Sequence, residues 1–223
     1  MSLIKYKPYN DPDDPEKHRM MTIQRGHALK HLQGKDLCDD FVLINDAKPG
    51  RTSSMFRELG FQPNNIHIIE KDSSIHKIHQ LRGYGSSNCD MIKCVKNTKY
   101  EEGDYYTCII CDIEISFVRG IPLVRNIIKN GFVGSGSYLN VTIAKRSGAK
   151  GKKFKNQFAE FRDMVDEELK KKGLRCVKQG DVSYGNARMG RAHMIMLWMF
   201  IKPMAPRKRK KTDYEFNSKR DKK

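Results

Sequence analysis

Phe41-Val42-Leu43-Ile44-Asn45-Asp46-Ala47-Lys48-Pro49-Gly50 is the stretch on which the fold turns. Its four leading apolar residues, with no polar alternation, mark a strand buried on both faces. The run then breaks into a polar turn containing a proline and a glycine. Thr52 or Ser53 is placed to cap a short helix that runs to Leu59 and stops at Gly60. A buried strand followed by a helix begins a β-α alternation.

That alternation continues outward. Asn65 to Ile69 reads as the second strand, ending at Glu70-Lys71-Asp72, and Ser73 to Leu81 as a helix capped by Asp72 or Ser73. Asp90 to Val95 reads as a third strand. Tyr105 to Cys111 is the fourth and ends at Asp112. Ser116 to Asn130 is helical around Pro122, which belongs in a first turn or at a kink. Ser137 to Ala144 is the fifth strand, and an amphipathic helix runs from about Lys155 to Lys172, closed by Gly173. Leu174 to Gln179 and His193 to Ile201 are two final strands with no helix between them, suited to antiparallel pairing. Upstream, a helix is expected from Glu16 to Leu32. The expected fold class is therefore α/β: a Rossmann-like, mostly parallel sheet with a C-terminal antiparallel strand pair and helices on both faces. The expected domain organisation is an irregular lead-in over 1–17, one domain over 18–203, and a basic tail of disordered character over 204–223.

The composition of the 223 residues is 38 % hydrophobic, with the apolar residues clustered into runs. Lysine and arginine number 43 against 26 acidic residues, a formal charge of +17. Such an excess favours counterion-releasing contacts with phosphates, and nucleic acid is the expected partner rather than a membrane surface. No signal peptide and no apolar run of membrane length is present, so an intracellular location is expected, nuclear or cytoplasmic. The spacing of Cys108 and Cys111 suggests zinc, but they lie in a strand pattern. Their side chains therefore point to opposite faces, and no second pair stands at finger spacing. No metal site is expected.

In open α/β sheets, ligands bind beyond the carboxyl ends of the strands. The expected ends here are Asn45-Asp46, Glu70-Lys71-Asp72, Asp112-Ile113-Glu114 and Lys145-Arg146. Glu70 stands about twenty residues beyond the first turn, where a ribose-hydroxyl acceptor belongs. The first turn lacks G-x-G-x-x-G, so there is little provision for a pyrophosphate. A nucleoside cofactor without phosphates, S-adenosylmethionine, fits better. Its expected contacts are Asn45, Asp46, Ala47, Pro49, Gly50, Thr52, Ser53, Glu70, Lys71, Asp112 and Ile113.

Over residues 20 to 202 the chain resembles the S-adenosylmethionine-dependent RNA ribose 2′-O-methyltransferases, of the cellular heat-shock type and of viral capping enzymes. The resemblance is carried by Arg25-Gly26-His27-Ala28-Leu29-Lys30, Asp46-Ala47-Lys48-Pro49-Gly50, Cys111-Asp112-Ile113-Glu114-Ile115-Ser116 and Asn140-Val141-Thr142-Ile143-Ala144-Lys145. It implies Lys30, Asp112 and Lys145 as catalytic residues, with Lys145 at the acceptor hydroxyl, Lys30 adding positive field and Asp112 orienting lysine and methyl donor. The glutamate that completes the family's set of four is missing, for Ala192 or His193 stands in its place. The turn after the first strand also carries less glycine than the family's cofactor loop.

The basic residues Arg146, Lys150, Lys152, Lys153, Arg188 and Arg191 are the expected RNA contacts. The run Arg207-Lys208-Arg209-Lys210-Lys211 reads as a nuclear import signal or a nucleic-acid arm. Three readings stay open: a methyltransferase acting on the 2′-hydroxyl of a cap or other RNA, an inactive RNA-binding protein of the same fold, and a nucleobase methyltransferase.

Overall fold

The computed structural model describes residues 15–33, 35, 37, 40–46, 50–100, 104–144, 154–184 and 194–205. Helices and strands alternate along them: α1 (Pro15–Leu32), β1 (Val42–Ile44), α2 (Arg51–Glu58), β2 (Ile66–Glu70), α3 (Ser73–Leu81), β3 (Gly85–Asn88), α4 (Met91–Asn97), β4 (Cys108–Ser116), α5 (Phe117–Lys129), β5 (Tyr138–Ala144), α6 (Phe154–Lys171), β6 (Leu174–Tyr184) and β7 (Met194–Pro203). The strands form one seven-stranded sheet in the order β3-β2-β1-β4-β5-β7-β6. The first five are parallel, and β7 lies between β5 and β6, antiparallel to both. This is the Rossmann-like architecture expected from the sequence, with the terminal strand pair in the expected sense.

Burial follows the period of two that a strand imposes. Val42, Ile44, Ile66, Ile68, Cys108, Ile110 and Tyr138 fill one face together with Ala28 and Leu32 of α1 and Met55 and Phe56 of α2. Leu43, Ile69, Ile109, Cys111, Leu139 and Val141 fill the other, packed against α4, α5 and α6. Each aliphatic side chain buried this fully contributes about 1.5–3 kcal/mol. Cys108 and Cys111 thus belong to different faces, as their strand spacing requires. Among the described residues no helix is long and apolar enough to cross a membrane.

Several local expectations are corrected. Asp90 to Val95 is not a strand. The Asp90 carboxylate accepts from the backbone N–H groups of Ile92 and Lys93 and caps α4, whose Met91 and Val95 point inward one turn apart. The third strand is the preceding Gly-Ser-Ser-Asn, a half-exposed edge with no apolar pattern to reveal it. The fourth strand begins later and runs further than Tyr105 to Cys111, ending at Ser116. Pro122 lies inside α5, beyond its first turn. At α2 the cap position is held by Gly50 in the left-handed region, φ 65°, and not by Thr52 or Ser53.

Candidate active site at the carboxyl edge

Three acidic residues reach the carboxyl edge at one level. Ile44 pairs with Ile68 and with Ile110, so Asp46, Glu70 and Asp112 each stand two residues beyond that line. The strand order reverses between β1 and β4, the switch point where such sheets bind ligands. A hydrogen bond spans this crevice: Nδ2 of Asn45 donates to the Asp112 carbonyl at 2.9 Å. The other end of the amide, Asn45 Oδ1, is buried and has no hydrogen-bond partner among the described residues. A buried acceptor left open costs about 1–3 kcal/mol unless something fills it.

The acids differ in what they can do. Asp46 is buried, and its Oδ2 accepts the Ser53 backbone N–H at 2.7 Å, inside the first turn of α2. Burial pushes its pKa up, while hydrogen bonds from Ser53 and Thr52 pull it back. The residue ties the end of β1 to the first turn of α2. Nε2 of His79, a fully buried residue on α3, donates to the Asp46 carbonyl at 3.2 Å. Nothing local in the sequence marks His79 for this role. Glu70 is half-buried at the end of β2, and its Oε1 accepts the Asp72 N–H at 2.8 Å. Asn88 of β3 holds the same turn by donating to the carbonyls of Glu70 and Lys71.

Asp112 is half-buried where the β4–β5 ladder breaks. Asp112 pairs with Thr142 and Ile115 with Ile143, so Ile113 and Glu114 are extra residues in a bulge. Bulges of this kind re-aim side chains next to active sites. Gly50 has a second reason for its identity: a Cβ there would lie 2.5 Å from Nη1 of Arg82. Arg82, which the sequence did not suggest, therefore lies against Gly50 at the start of α2.

The structure gathers Asn45, Asp46, Gly50, Thr52, Ser53, Glu70, Lys71, Asp112 and the backbone of Ile113 along this edge. It does not bring Lys30 to them. α1 runs antiparallel to β5: Met20 packs with Ala144 and Met194, Gln24 donates to Asn140, and His31 meets Tyr138. Ten residues of helix, about 15 Å, separate Lys30 from the end of α1 that meets the site. Lys30 is exposed toward the amino edge of the strands, beside His27, whose pKa burial and then Lys178 and Lys30 depress. The helix start near Arg19 and Met20 occupies the place the sequence reading gave to Lys30. Ala47, Pro49, Lys145, Arg146, Lys150, Lys152, Lys153, Arg188, Arg191, Ala192 and His193 lie outside the described residues.

No family model and no curated sequence matches the chain. Solved structures do. A provisionally assigned transferase from Pyrococcus horikoshii is similar at a TM-score of 0.54 and 12 % identity, over 87 % of this chain and 66 % of its own. A provisionally assigned rRNA methylase from Clostridium thermocellum is similar at 0.50 and 10 %, over 81 % and 96 %. Geranyl diphosphate C-methyltransferase from Streptomyces coelicolor is similar at 0.49 and 15 %, over 86 % and 84 %. At these identities the likeness is one of fold.

Proposed function

We propose that this chain is an S-adenosylmethionine-dependent methyltransferase that acts on RNA, with a ribose 2′-hydroxyl as acceptor. The observation that carries the cofactor reading is the open Asn45 Oδ1 at the switch point, tied through its own amide to Asp112. A cationic ligand end, such as the ammonium of the cofactor's amino acid, satisfies that acceptor. Glu70 supplies the carboxylate that a nucleoside ribose needs, and a turn fixed by Asp46 without a phosphate cradle suits a ligand that carries no phosphates.

When bound, the cofactor supplies an electrophilic methyl group on sulfur. The chain's own part is positioning and proton handling. Asn45, Glu70, Lys71 and the Asp46–Ser53 loop, with Ala47, Pro49, Gly50 and Thr52, hold the cofactor. Asp112, at the bulge, orients donor and acceptor. Lys145 follows Ala144 at the carboxyl end of β5 and takes the hydroxyl proton. Lys30 has no part in it. Arg146, Lys150, Lys152, Lys153, Arg188 and Arg191 hold the phosphate backbone, in keeping with the charge of +17.

Incubation of the full chain with labelled S-adenosylmethionine and RNA, followed by digestion to nucleosides, tests this reading. Label on a 2′-O-methyl nucleoside is expected, and Lys145→Ala abolishes it while cofactor binding persists. Label on a base moves the acceptor to the nucleobase. Cofactor binding with no transfer to any RNA overturns the enzyme reading.

A further inference from the structure

The amino edge of the sheet holds a second feature, far from the site above. A cavity of about 450 Å³ is lined by Asp40, Phe41, His67, Tyr100, Asp104, Tyr105, Tyr106 and Thr107. Its back wall is a closed chain of neutral groups: Tyr100 bonds to the Tyr106 hydroxyl, and that hydroxyl to Nδ1 of His67 at 2.8 Å. Burial lowers the His67 pKa and raises that of Tyr106, so this wall carries no charge near neutrality. Among the lining residues, the formal charges are the carboxylates of Asp40 and Asp104. Asp40 Oδ1 accepts the Thr107 hydroxyl at 2.6 Å, and among the described residues neither carboxylate makes an ion pair. Phe41 and Tyr105, 40 % and 38 % exposed, form the mouth. Glu101 and Glu102 lie between the lining residues Tyr100 and Asp104 in sequence. An acidic, aromatic cavity on a chain of charge +17 repels phosphate and attracts an organic cation, which sits over ring faces and between carboxylates.

The chain carries such a cation shortly after its last strand. β7 runs to the same edge: the Gly136 N–H donates to the Ile201 carbonyl at 2.9 Å, and Tyr105 Oη donates to the Ser135 carbonyl at 2.7 Å. The ring of Tyr105 lies directly on Gly134, where a side chain would displace it. One short loop thus joins the cavity mouth to the last turns of β7. Arg207-Lys208-Arg209-Lys210-Lys211 begins three residues past Met204. Three strand positions, about 14 Å, separate β7 from β1, a gap that about five extended residues bridge.

We propose that this cavity receives the Arg207–Lys211 run of the same chain, with an arginine or lysine head held between Asp40 and Asp104 against the rings of Phe41, Tyr100 and Tyr105. The surface would dock the chain's own basic segment at the edge opposite the candidate active site, keeping that segment at a fixed distance from it.

Zero-length carbodiimide coupling of the full chain, on a mixture of unlabelled and isotope-labelled copies, tests the proposal. Amide links from Lys208, Lys210 or Lys211 to Asp40 or Asp104 within one copy are expected. Links only between differently labelled copies mean docking in trans and overturn the same-chain occupant; no such link overturns the site. A second measurement needs no coupling. Trypsin cleavage within Arg207–Lys211 should run about fivefold faster in Asp40→Asn/Asp104→Asn, the scale of two surface ion pairs lost while the rings are kept. Asparagine keeps the acceptor for Thr107. Equal cleavage rates in the two proteins would contradict the proposal.

Discussion

At the carboxyl edge of the parallel strands, Asn45 leaves a buried oxygen without a partner among the described residues, and Glu70 accepts from the Asp72 N–H. At the amino edge, Tyr100, Tyr106 and His67 satisfy one another in a continuous chain. The two edges share the same strands, yet one withholds hydrogen bonds and the other closes them. A buried polar group that stays open costs stability and is retained where a ligand completes it, whereas a closed network is structural. The difference separates residues that should control chemistry from residues that should control folding.

The sharpest way to break that separation is Asp112→Ala. Methyl transfer should fall by about a hundredfold or more, the scale of a lost positioning or proton-transfer group, with little change in melting temperature. A loss of folding in step with activity would make Asp112 a structural residue. Tyr106→Phe is the reverse experiment. It leaves the His67 ring nitrogen and the Tyr100 hydroxyl without their partner and should cost about 1–3 kcal/mol in denaturant unfolding, while transfer at saturating cofactor is unchanged. Asp46→Ala falls between the two edges in character. Losing the acceptor for the Ser53 N–H should cost about 0.5–2 kcal/mol and weaken cofactor affinity, since Asp46 and Ser53 belong to the proposed cofactor site.

A pH-dependent effect concerns α1. Burial first, then Lys35, lowers the His31 pKa to about 4, so the neutral ring is the folded form. A base with a depressed folded pKa contributes stability that is present above its unfolded value near 6.5 and is lost as pH falls toward 4. His31→Gln should therefore flatten the fall in melting temperature between about pH 7 and pH 4.5 relative to the parent chain. An unchanged slope would show that the ring is solvated in the folded protein.

The sequence made the architecture legible where strands are buried on both faces. Phe41–Ile44 and Ser137–Ala144 read directly, because a continuous apolar run bounded by turn residues is what a strand covered on both sides requires. The edge strand Gly85–Asn88 was invisible, since a half-exposed strand of small polar residues shows neither period nor hydrophobicity. Met91–Val95 misled for the opposite reason: short apolar runs do not distinguish strand from helix, and the decision rested on the Asp90 cap. At the site, the acids were legible because they follow buried runs, although β4 continues past Asp112 to Ser116. Asn45 was legible as a position but not as the group that spans β1 and β4. His79 and Arg82 reach the loop from α3 and its end through tertiary packing, which leaves no local mark. Lys30 was misplaced because a motif on a helix does not state which end of the helix meets the sheet edge. Gln24 against Asn140 decides that, and only in three dimensions.

The central claim is that the carboxyl edge is a nucleoside cofactor site completed by its ligand. Thermal unfolding of the full chain with and without S-adenosylhomocysteine tests it most directly. A ligand that binds only the folded state at about a hundred times its dissociation constant adds about 2.7 kcal/mol. A clear rise in melting temperature at millimolar ligand, reduced in Asn45→Ala and Glu70→Ala and retained in Tyr106→Phe, is the expected result. No rise in the parent chain, or an equal rise in Asn45→Ala and Glu70→Ala, would contradict it.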